Sequence, residues 1–286
     1  METASTILSK LETGIKSVHE WPISNKVVVG FNGFDSTSKG VKSLSAILGN
    51  LGIPTACIRG GEFISVDSDK DIIALVDWAN VADAEIIWDR LLHEVIKPSG
   101  RKNYNFYFNL GDPSKKNAHE IDDILDLISD FSCYGSVTLG LTTNEALTIW
   151  SALTGMSRNG PVEEAGKFIH FAMNIDHVLI HGVDRTILFT KKESVEFRGR
   201  PAHQRKTQNG DDNMSAGFIL GQLAGFNIRE SIILAMAASG AYIRKRKSVN
   251  LADLRKYIKA WREELKANPE TDVQMKPILF STPVLH

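Results

Sequence analysis

The chain has 286 residues, of which 43% are hydrophobic and 23% are charged, and its formal net charge is −1. A charge this close to zero gives no attraction for nucleic acid or for an anionic membrane, so neither is expected as a partner. The composition is that of a globular protein, and the length fits one large α/β domain or two small domains.

The cellular compartment is predicted from the cysteines and the N-terminal segment. Cys57 and Cys133 have no partners at the spacing of metal ligands, so neither a zinc site nor a disulfide framework is expected. Residues 1–20 lack the apolar core of a signal peptide, and no apolar run approaches the ~20 residues of a membrane span. We therefore expect a cytoplasmic protein.

Short apolar runs alternate with longer amphipathic segments, which is typical of βαβ units around a mostly parallel sheet. Strands are predicted at 26–31, 55–58, 72–76, 105–110, 136–141 and 177–181, followed by an antiparallel hairpin at 185–190 and 194–198. Helices are predicted at 42–51, 83–96, 121–128, 212–224, 228–242 and 251–265. Core packing is predicted for four tryptophans, Trp78, Trp88, Trp150 and Trp261.

Polar clusters follow several of the predicted strands. They lie at residues 32–35, 77–80, 112 and 142–145. Ligands bind beyond the carboxyl ends of the strands in an open parallel sheet, so repeated clusters at these ends indicate one shared site. Asp, Asn and Gly also favour ordinary turns, and for any single cluster a turn is the better interpretation.

The segment 206–225 (KTQNGDDNMSAGFILGQLAG) places two carboxylates before a helix that is rich in small residues. A helix N-terminus presents unpaired N–H groups that bind phosphate. A carboxylate there would repel phosphate unless it serves as a general base beside a transferring phosphoryl group. From the residues alone, that role and a simple Asp helix cap remain equally open.

The stretch NGDDNMSAGF resembles the signature of the ribokinase-like (PfkB) carbohydrate kinases, in which a Gly-Ala-Gly-Asp turn precedes a helix containing Ala-Gly. Setting residues 216–217 on that Ala-Gly pair implies that Asp212 is the catalytic base. Asn209, Gly210 and Asp211 then take the places of Gly-Ala-Gly, whose amides, with that of Asp212, form the anion hole for the nucleotide phosphates.

Two glycines of the signature are replaced. Asn209 is a mild change, since Asn tolerates a left-handed backbone. The charge of Asp211 must turn outward to a basic partner such as Arg205 or Lys206, contact a metal, or weaken nucleotide binding.

The resemblance extends over most of the chain. It implies that Asp35 after the first strand, together with Asn32 and Asp112, binds the hydroxyls of a sugar-like acceptor. Residues 142–145 (TTNE) stand where the family has Asn-x-x-Glu, which implies that Glu145 orders Mg²⁺ and its waters although Thr142 replaces the Asn.

The second Gly-Gly signature of the sugar kinases is poorly kept. Ser38-Lys39 stands in its place, and Ser43 replaces a substrate-contacting Asn. The short gap after Asp35 predicts at most a reduced lid, from segments near 33–40 and 58–72. That gap and Asp35-Ser36 resemble the pyridoxal and hydroxymethylpyrimidine kinase branch.

The resemblance implies a single domain over residues 1–286, folded as a three-layer α/β/α sandwich with a mostly parallel central sheet. It also implies an ATP-dependent kinase that phosphorylates a hydroxyl of a sugar or sugar-like molecule, with Mg²⁺ as cofactor. Many relatives dimerise through the lid, so its shortening leaves monomer and homodimer open. The lost signature residues support an alternative, a catalytically impaired member that binds nucleotide or sugar as a sensor or partner protein.

Other patterns in the sequence are weaker indications of function. Residues 33–40 (GFDSTSKG) do not fit the P-loop pattern around the Lys and are rejected as such. Residues 244–247 (RKRK) are typical of a solvated helix end. His181 and Asp77 follow or end strands, where they can contact a ligand, whereas structural roles are predicted for His170 and His177.

Overall fold

The computed structural model describes residues 4–15, 27–30, 38–58, 72–81, 83–182, 185–200, 210–268 and 275–278. In this part of the chain nine strands form one sheet. They are β1 (Val27–Gly30), β2 (Thr55–Ile58), β3 (Ile72–Val76), β4 (Tyr104–Asn109), β5 (Gly135–Thr142), β6 (His177–His181), β7 (Arg185–Thr190), β8 (Ser194–Arg198) and β9 (Lys276–Pro277).

The strand order is β2-β1-β3-β4-β5-β6-β7-β8-β9. Pairing is parallel from β2 through β6 and antiparallel from β6 to β9, which confirms the prediction of a mostly parallel sheet with an antiparallel hairpin. Val76 lies opposite Asn109, and Thr142 lies opposite His181. The carboxyl ends of β3 to β6 therefore meet at one edge, where the polar clusters of the sequence converge.

Helices cover both faces of the sheet. They are α1 (Ala4–Gly14), α2 (Lys39–Asn50), α3 (Ala84–Arg90), α4 (Ala118–Phe131), α5 (Thr143–Thr154), α6 (Val162–Met173), α7 (Gly210–Leu223), α8 (Ile228–Lys245) and α9 (Leu251–Ala267). One hydrophobic core joins the sheet to α1, α2 and α7 to α9, and a second joins it to α3 to α6. The predicted three-layer sandwich is confirmed.

Strand β3 shows how the sequence produces these layers. All five of its residues are buried. Ile73 and Leu75 belong to one core, while Ile72, Ala74 and Val76 belong to the other. A continuous apolar run is what a parallel strand needs when helices cover both of its faces.

Several elements differ from the predicted ones. Helices α1, α5 and α6 lie where the sequence pattern predicted no element. Helix α2 begins at Lys39 and not at residue 42, because the Ser38 hydroxyl caps it by accepting from the Val41 N–H. Helix α7 begins at Gly210, two residues before the predicted start. The predicted helix 83–96 is α-helical at Ala84–Arg90 and π-helical at Leu91–Ile96.

The predicted lid lies largely in residues 31–37 and 59–71, outside the described part of the chain, and it stays a prediction. Trp78, Trp88 and Trp261 are buried as predicted, whereas Trp150 is only partly buried. The side chains of residues 244–247 are exposed at the end of α8, as a solvated helix end requires. Among the described residues, no helix combines the length and apolarity of a membrane-spanning segment.

Helices α7 and α8 run antiparallel and approach each other through small residues. A Cβ added to Gly217 would lie 2.7 Å from Ala238 Cβ and 2.8 Å from Ala235 Cα. A Cβ added to Gly221 would lie 2.8 Å from the backbone of Ser231. The small residues noticed in the sequence therefore permit close packing of two helices, which fixes the position of α7.

Gly217→Ala is expected to lower the free energy of unfolding by about 1–3 kcal/mol, because the new methyl group overpacks the α7–α8 interface. Gly49→Ala in α2 is the matched control, since a Cβ there meets no atom within 4 Å. The control should gain about 0.5–1 kcal/mol from helix propensity. Urea unfolding of the two variants measures the difference, and equal stability would contradict the close packing.

Candidate active site

A cavity of about 880 Å³ opens at the carboxyl edge of the sheet, between α2 and α7. Its described lining carries several charged side chains. It includes five carboxylates and two lysines, namely Asp77, Asp112, Glu145, Asp211, Asp212, Lys39 and Lys115. Three of the four predicted polar clusters contribute to this wall. The remaining cluster, with Asn32 and Asp35, lies outside the described residues, as does Asn209.

Asp212 lies in the first turn of α7, where Gly210 is the first helical residue. Burial raises the pKa of the Asp212 carboxyl, and the charges of Asp211 and Asp77 raise it further, while a hydrogen bond from the Ser43 hydroxyl lowers it. A carboxylate whose ionised form is disfavoured takes up a proton more readily than an exposed one. The position suits a proton acceptor beside the N–H groups of a helix N-terminus.

Asp211 has a histidine beside it. Its Oδ1 atom lies 3.4 Å from Nδ1 of His181, the last residue of β6. The side chain of His181 is 5% exposed, and that of Asp211 is 35% exposed. Arg205 or Lys206 was predicted as a partner of Asp211, and both lie outside the described residues. The described structure therefore supplies His181 as a neighbour that the spacing along the chain could not indicate.

Glu145 lies at the start of α5 and takes part in a capping box. Its Oε2 atom accepts a hydrogen bond of 2.7 Å from the Thr142 N–H, and its own N–H donates to Thr142 Oγ1 at 3.2 Å. The carboxylate is thus held at the cavity wall by the local T-x-x-E sequence. The T-x-x-E sequence is a signature of a helix start, so the start of α5 could have been predicted from it. The resemblance implied only the metal role of Glu145.

The fit of this site to Mg²⁺ rests on oxygen ligands. Among the described residues, no three His, Cys, Asp or Glu side chains are grouped as a metal site. Mg²⁺ keeps several waters and commonly binds through one or two carboxylates together with substrate phosphates. The fixed carboxylate of Glu145 on the cavity wall suits that mode of binding.

Asp77 is more deeply placed than the sequence suggested. It follows β3 in a left-handed conformation (φ 68°, ψ 31°) and is 7% exposed. Its Oδ2 atom accepts from the Gly40 N–H at 3.0 Å, and its Oδ1 atom accepts from Asn80 Nδ2 at 2.6 Å. Lys115 Nζ in turn donates to Asn80 Oδ1. In the sequence, the only indication that Asp77 belongs to the site was its position at the end of a strand.

Asp112 occupies the rim of the cavity and is exposed. Its Oδ1 atom accepts from both the N–H and the hydroxyl of Ser114, at 3.1 and 2.7 Å, as the cap of a short 3₁₀ turn. These hydrogen bonds hold the pKa of the Asp112 carboxyl below its usual range. The residue is present at the site, with one carboxylate oxygen engaged in its own turn.

A buried tyrosine ties α7 to the sheet and was missed by sequence reasoning. The Tyr107 Oη and Ser215 Oγ atoms lie 2.8 Å apart, and the Ser215 hydroxyl also donates to the Asp211 carbonyl at 3.2 Å. Burial raises the pKa of the Tyr107 phenol far above its ordinary value. The neutral phenol therefore anchors the first turn of α7 on β4.

Asp212→Asn is expected to raise the free energy of unfolding at neutral pH. The folded-state pKa of Asp212 lies above its unfolded value, so the ionised carboxylate costs stability above the folded pKa. That cost disappears as the pH falls below the unfolded pKa, and the advantage of the variant should shrink accordingly. Urea unfolding across an acidic-to-neutral pH series measures the effect.

Asp112→Asn is the control for this measurement. The pKa of Asp112 is shifted in the opposite direction, so this variant should show no gain at neutral pH. A stability of Asp212→Asn that equals the wild type at every pH would contradict the raised pKa.

No family model matches the chain, and no curated protein matches its sequence. Solved structures match in fold. The pyridoxal kinase of Entamoeba histolytica has a TM-score of 0.58 at 15% identity, over 89% of this chain and 99% of that one. A probable sugar kinase of Rhizobium etli CFN 42 has a TM-score of 0.59 at 12% identity, over 82% and 98%.

A third match carries ligands. The aminoimidazole riboside kinase of Salmonella enterica, complexed with aminoimidazole riboside and an ATP analog, has a TM-score of 0.57 at 14% identity, over 82% of this chain and 100% of that one. TM-scores of 0.57, 0.58 and 0.59 at identities of 12–15% show a similarity of fold alone. The protein has the ribokinase-like α/β/α fold of the sugar kinases, as its motifs predicted.

Proposed function

We propose that the protein is an ATP-dependent kinase that phosphorylates a hydroxyl of a sugar or sugar-like small molecule, with Asp212 as the general base. The observation that carries this proposal is the placement of Asp212. It lies in the first turn of a helix at the cavity, and its pKa is raised by burial. A base of raised pKa beside phosphate-binding amides is what transfer to a hydroxyl requires.

In the proposed reaction, the acceptor oxygen attacks the γ-phosphorus in line as the bond to the β–γ bridging oxygen breaks. Asp212 takes the hydroxyl proton at a carboxylate oxygen. The N–H groups at the start of α7, from Gly210 to Asp212 with Asn209 before them, stabilise charge on the transferred group. Bound Mg²⁺ would neutralise the phosphate oxygens, with Glu145 holding its waters.

The acceptor is proposed to be a small molecule that offers a hydroxyl. Asp112 at the rim, with Asn32 and Asp35, is proposed to bind its other hydroxyls. Solved structures of this fold include kinases named for pyridoxal, adenosine and aminoimidazole riboside, which supports a small-molecule acceptor. A cytoplasmic protein, monomeric or homodimeric, remains part of the proposal.

The second candidate function is a catalytically impaired protein that binds nucleotide or sugar. Asp211 favours it, because this carboxylate lines the cavity directly beside Asp212. A phosphate charge ~4 Å from the Asp211 carboxylate would be repelled by ~4 kcal/mol at an effective dielectric of ~20, which would weaken nucleotide binding. The proximity of His181 supports the active kinase instead, since the Asp211 carboxylate has a protein neighbour, with its Oδ1 atom 3.4 Å from Nδ1 of His181.

Asp212→Asn is expected to lower kcat by about 10²–10⁴-fold, because the general base is lost while the amides of α7 remain. The assay combines ATP and Mg²⁺ with a panel of sugars, polyols, nucleosides and vitamins. Asp83→Asn, an exposed position outside the cavity lining, should retain wild-type turnover. Wild-type kcat in the Asp212 variant would refute the proposed base, and binding without turnover across the panel would favour the impaired protein.

Glu145→Gln is expected to raise the Mg²⁺ concentration needed for half-maximal activity. Gln can replace Glu in a capping box, so the variant removes the charge while the start of α5 is kept. Glu120→Gln is the matched control, since Glu120 makes the same capping box with Asn117 on α4, outside the cavity lining. Full wild-type activity in excess chelator would contradict a role for the metal.

A further inference from the structure

Asp77 combines a left-handed backbone with a buried carboxylate. Its backbone is left-handed, a conformation that glycine adopts readily and other residues seldom do. Its carboxylate is nevertheless buried at the cavity wall. Uncommon backbone conformations of this kind concentrate at functional sites, where surrounding contacts maintain them.

The contacts of the Asp77 carboxylate are close on both sides. A Cβ added to Gly40 would lie 2.7 Å from Oδ2, and a Cβ added to Gly111 would lie 2.9 Å from Oδ1. Each of these oxygens also accepts one hydrogen bond, from Gly40 and Asn80 respectively. These contacts hold the carboxylate in one position, so it also fixes its two donors, the Gly40 N–H and the Asn80 side chain.

The donor Gly40 belongs to the first turn of α2. A carboxylate at this position is favoured by the partial positive charge of the helix N-terminus. Ser43 follows three residues later, on the same helix face, and both residues line the cavity. The Ser43 hydroxyl donates to Asp212. A continuous path therefore runs from Asp77 through the start of α2 to the proposed base.

We propose that Asp77 is a positioning residue, whose carboxylate fixes the first turn of α2 and thereby holds the Ser43 hydroxyl against Asp212. Its effect on turnover rests on the kinase function proposed above. The link between Asp77 and Asp212 is a property of the folded protein and is measurable without turnover.

The test compares the carboxyl ¹³C signal of Asp212 between the labelled wild type and labelled variants, at a pH where this group is ionised. Ser43→Ala removes the donated hydrogen bond directly. Asp77→Gly keeps a residue suited to the left-handed backbone but removes the carboxylate. We expect Asp77→Gly to shift the Asp212 signal as Ser43→Ala does, and the double variant to add no further shift.

Two further variants separate the causes. Asp77→Asn removes the charge and the hydrogen bond from Asn80, because its amide nitrogen cannot accept, yet Asn tolerates the left-handed backbone and its side-chain oxygen can still accept from the Gly40 N–H. Its Asp212 signal should stay close to that of the wild type. Asp83→Gly is the matched control, because Asp83 is also left-handed (φ 59°) but exposed and outside the cavity lining. It should leave the signal unchanged.

Turnover provides the second readout. Asp77→Gly should lower kcat by up to about 100-fold, as expected when a reacting group is misplaced, with little change in the KM for nucleotide. Asp77→Asn should retain most of the wild-type kcat. A wild type that phosphorylates nothing would refute the kinase function while the ¹³C comparison still decides the positioning role.

Three results would overturn the positioning role. The first is a wild-type Asp212 signal in Asp77→Gly, which would reduce Asp77 to a turn residue. The second is an equal shift in Asp77→Asn and Asp77→Gly, which would assign the effect to charge alone. The third is a further shift in the double variant, which would show that Asp77 acts by a route other than Ser43.

Discussion

The carboxylate of Asp212 is only partly solvated, because it lies where α2 and α7 enclose the cavity. Such a group must be supported by hydrogen bonds from the protein, since water no longer provides them all. The Ser43 hydroxyl gives one, and the Tyr107–Ser215 contact fixes the helix turn that carries the carboxylate. The packing of α7 on α8 then sets how far that turn reaches into the cavity.

The positions of Asp211 and Asp77 beside Asp212 depend on contacts with other elements of the fold. Asp211 and Asp77 both raise the pKa of Asp212, and both are fixed by neighbours from other elements. His181 comes from the end of β6, and the Gly40 N–H comes from α2. Two of the acidic side chains of the lining, Asp211 and Asp77, therefore each have a partner that is distant in sequence. A polyphosphate ligand would add negative charge here, so the Mg²⁺ proposed above would be needed to offset it.

The sequence predicted the layers and the position of Asp212 because both are local signals. Apolar runs such as β3 reveal strands buried on two faces, and residues 210–217 of the motif lie together at the start of α7. Other features depend on contacts across the sheet. The proximity of Asp211 to His181 and the contact of Tyr107 with Ser215 arise only when the strands align. The left-handed backbone of Asp77 was equally hidden, since glycine is the usual residue for it.

The edge strand β9 has a consequence for how this chain meets other chains. It contributes two residues, Lys276 and Pro277, which pair with Glu196 and Val195 of β8. Both residues of β9 are exposed. Proline offers no N–H to a further strand, and lysine at an edge opposes the approach of another sheet. Among the described residues, β9 thus ends the sheet at this side and disfavours strand-to-strand aggregation at the part of β8 that it covers.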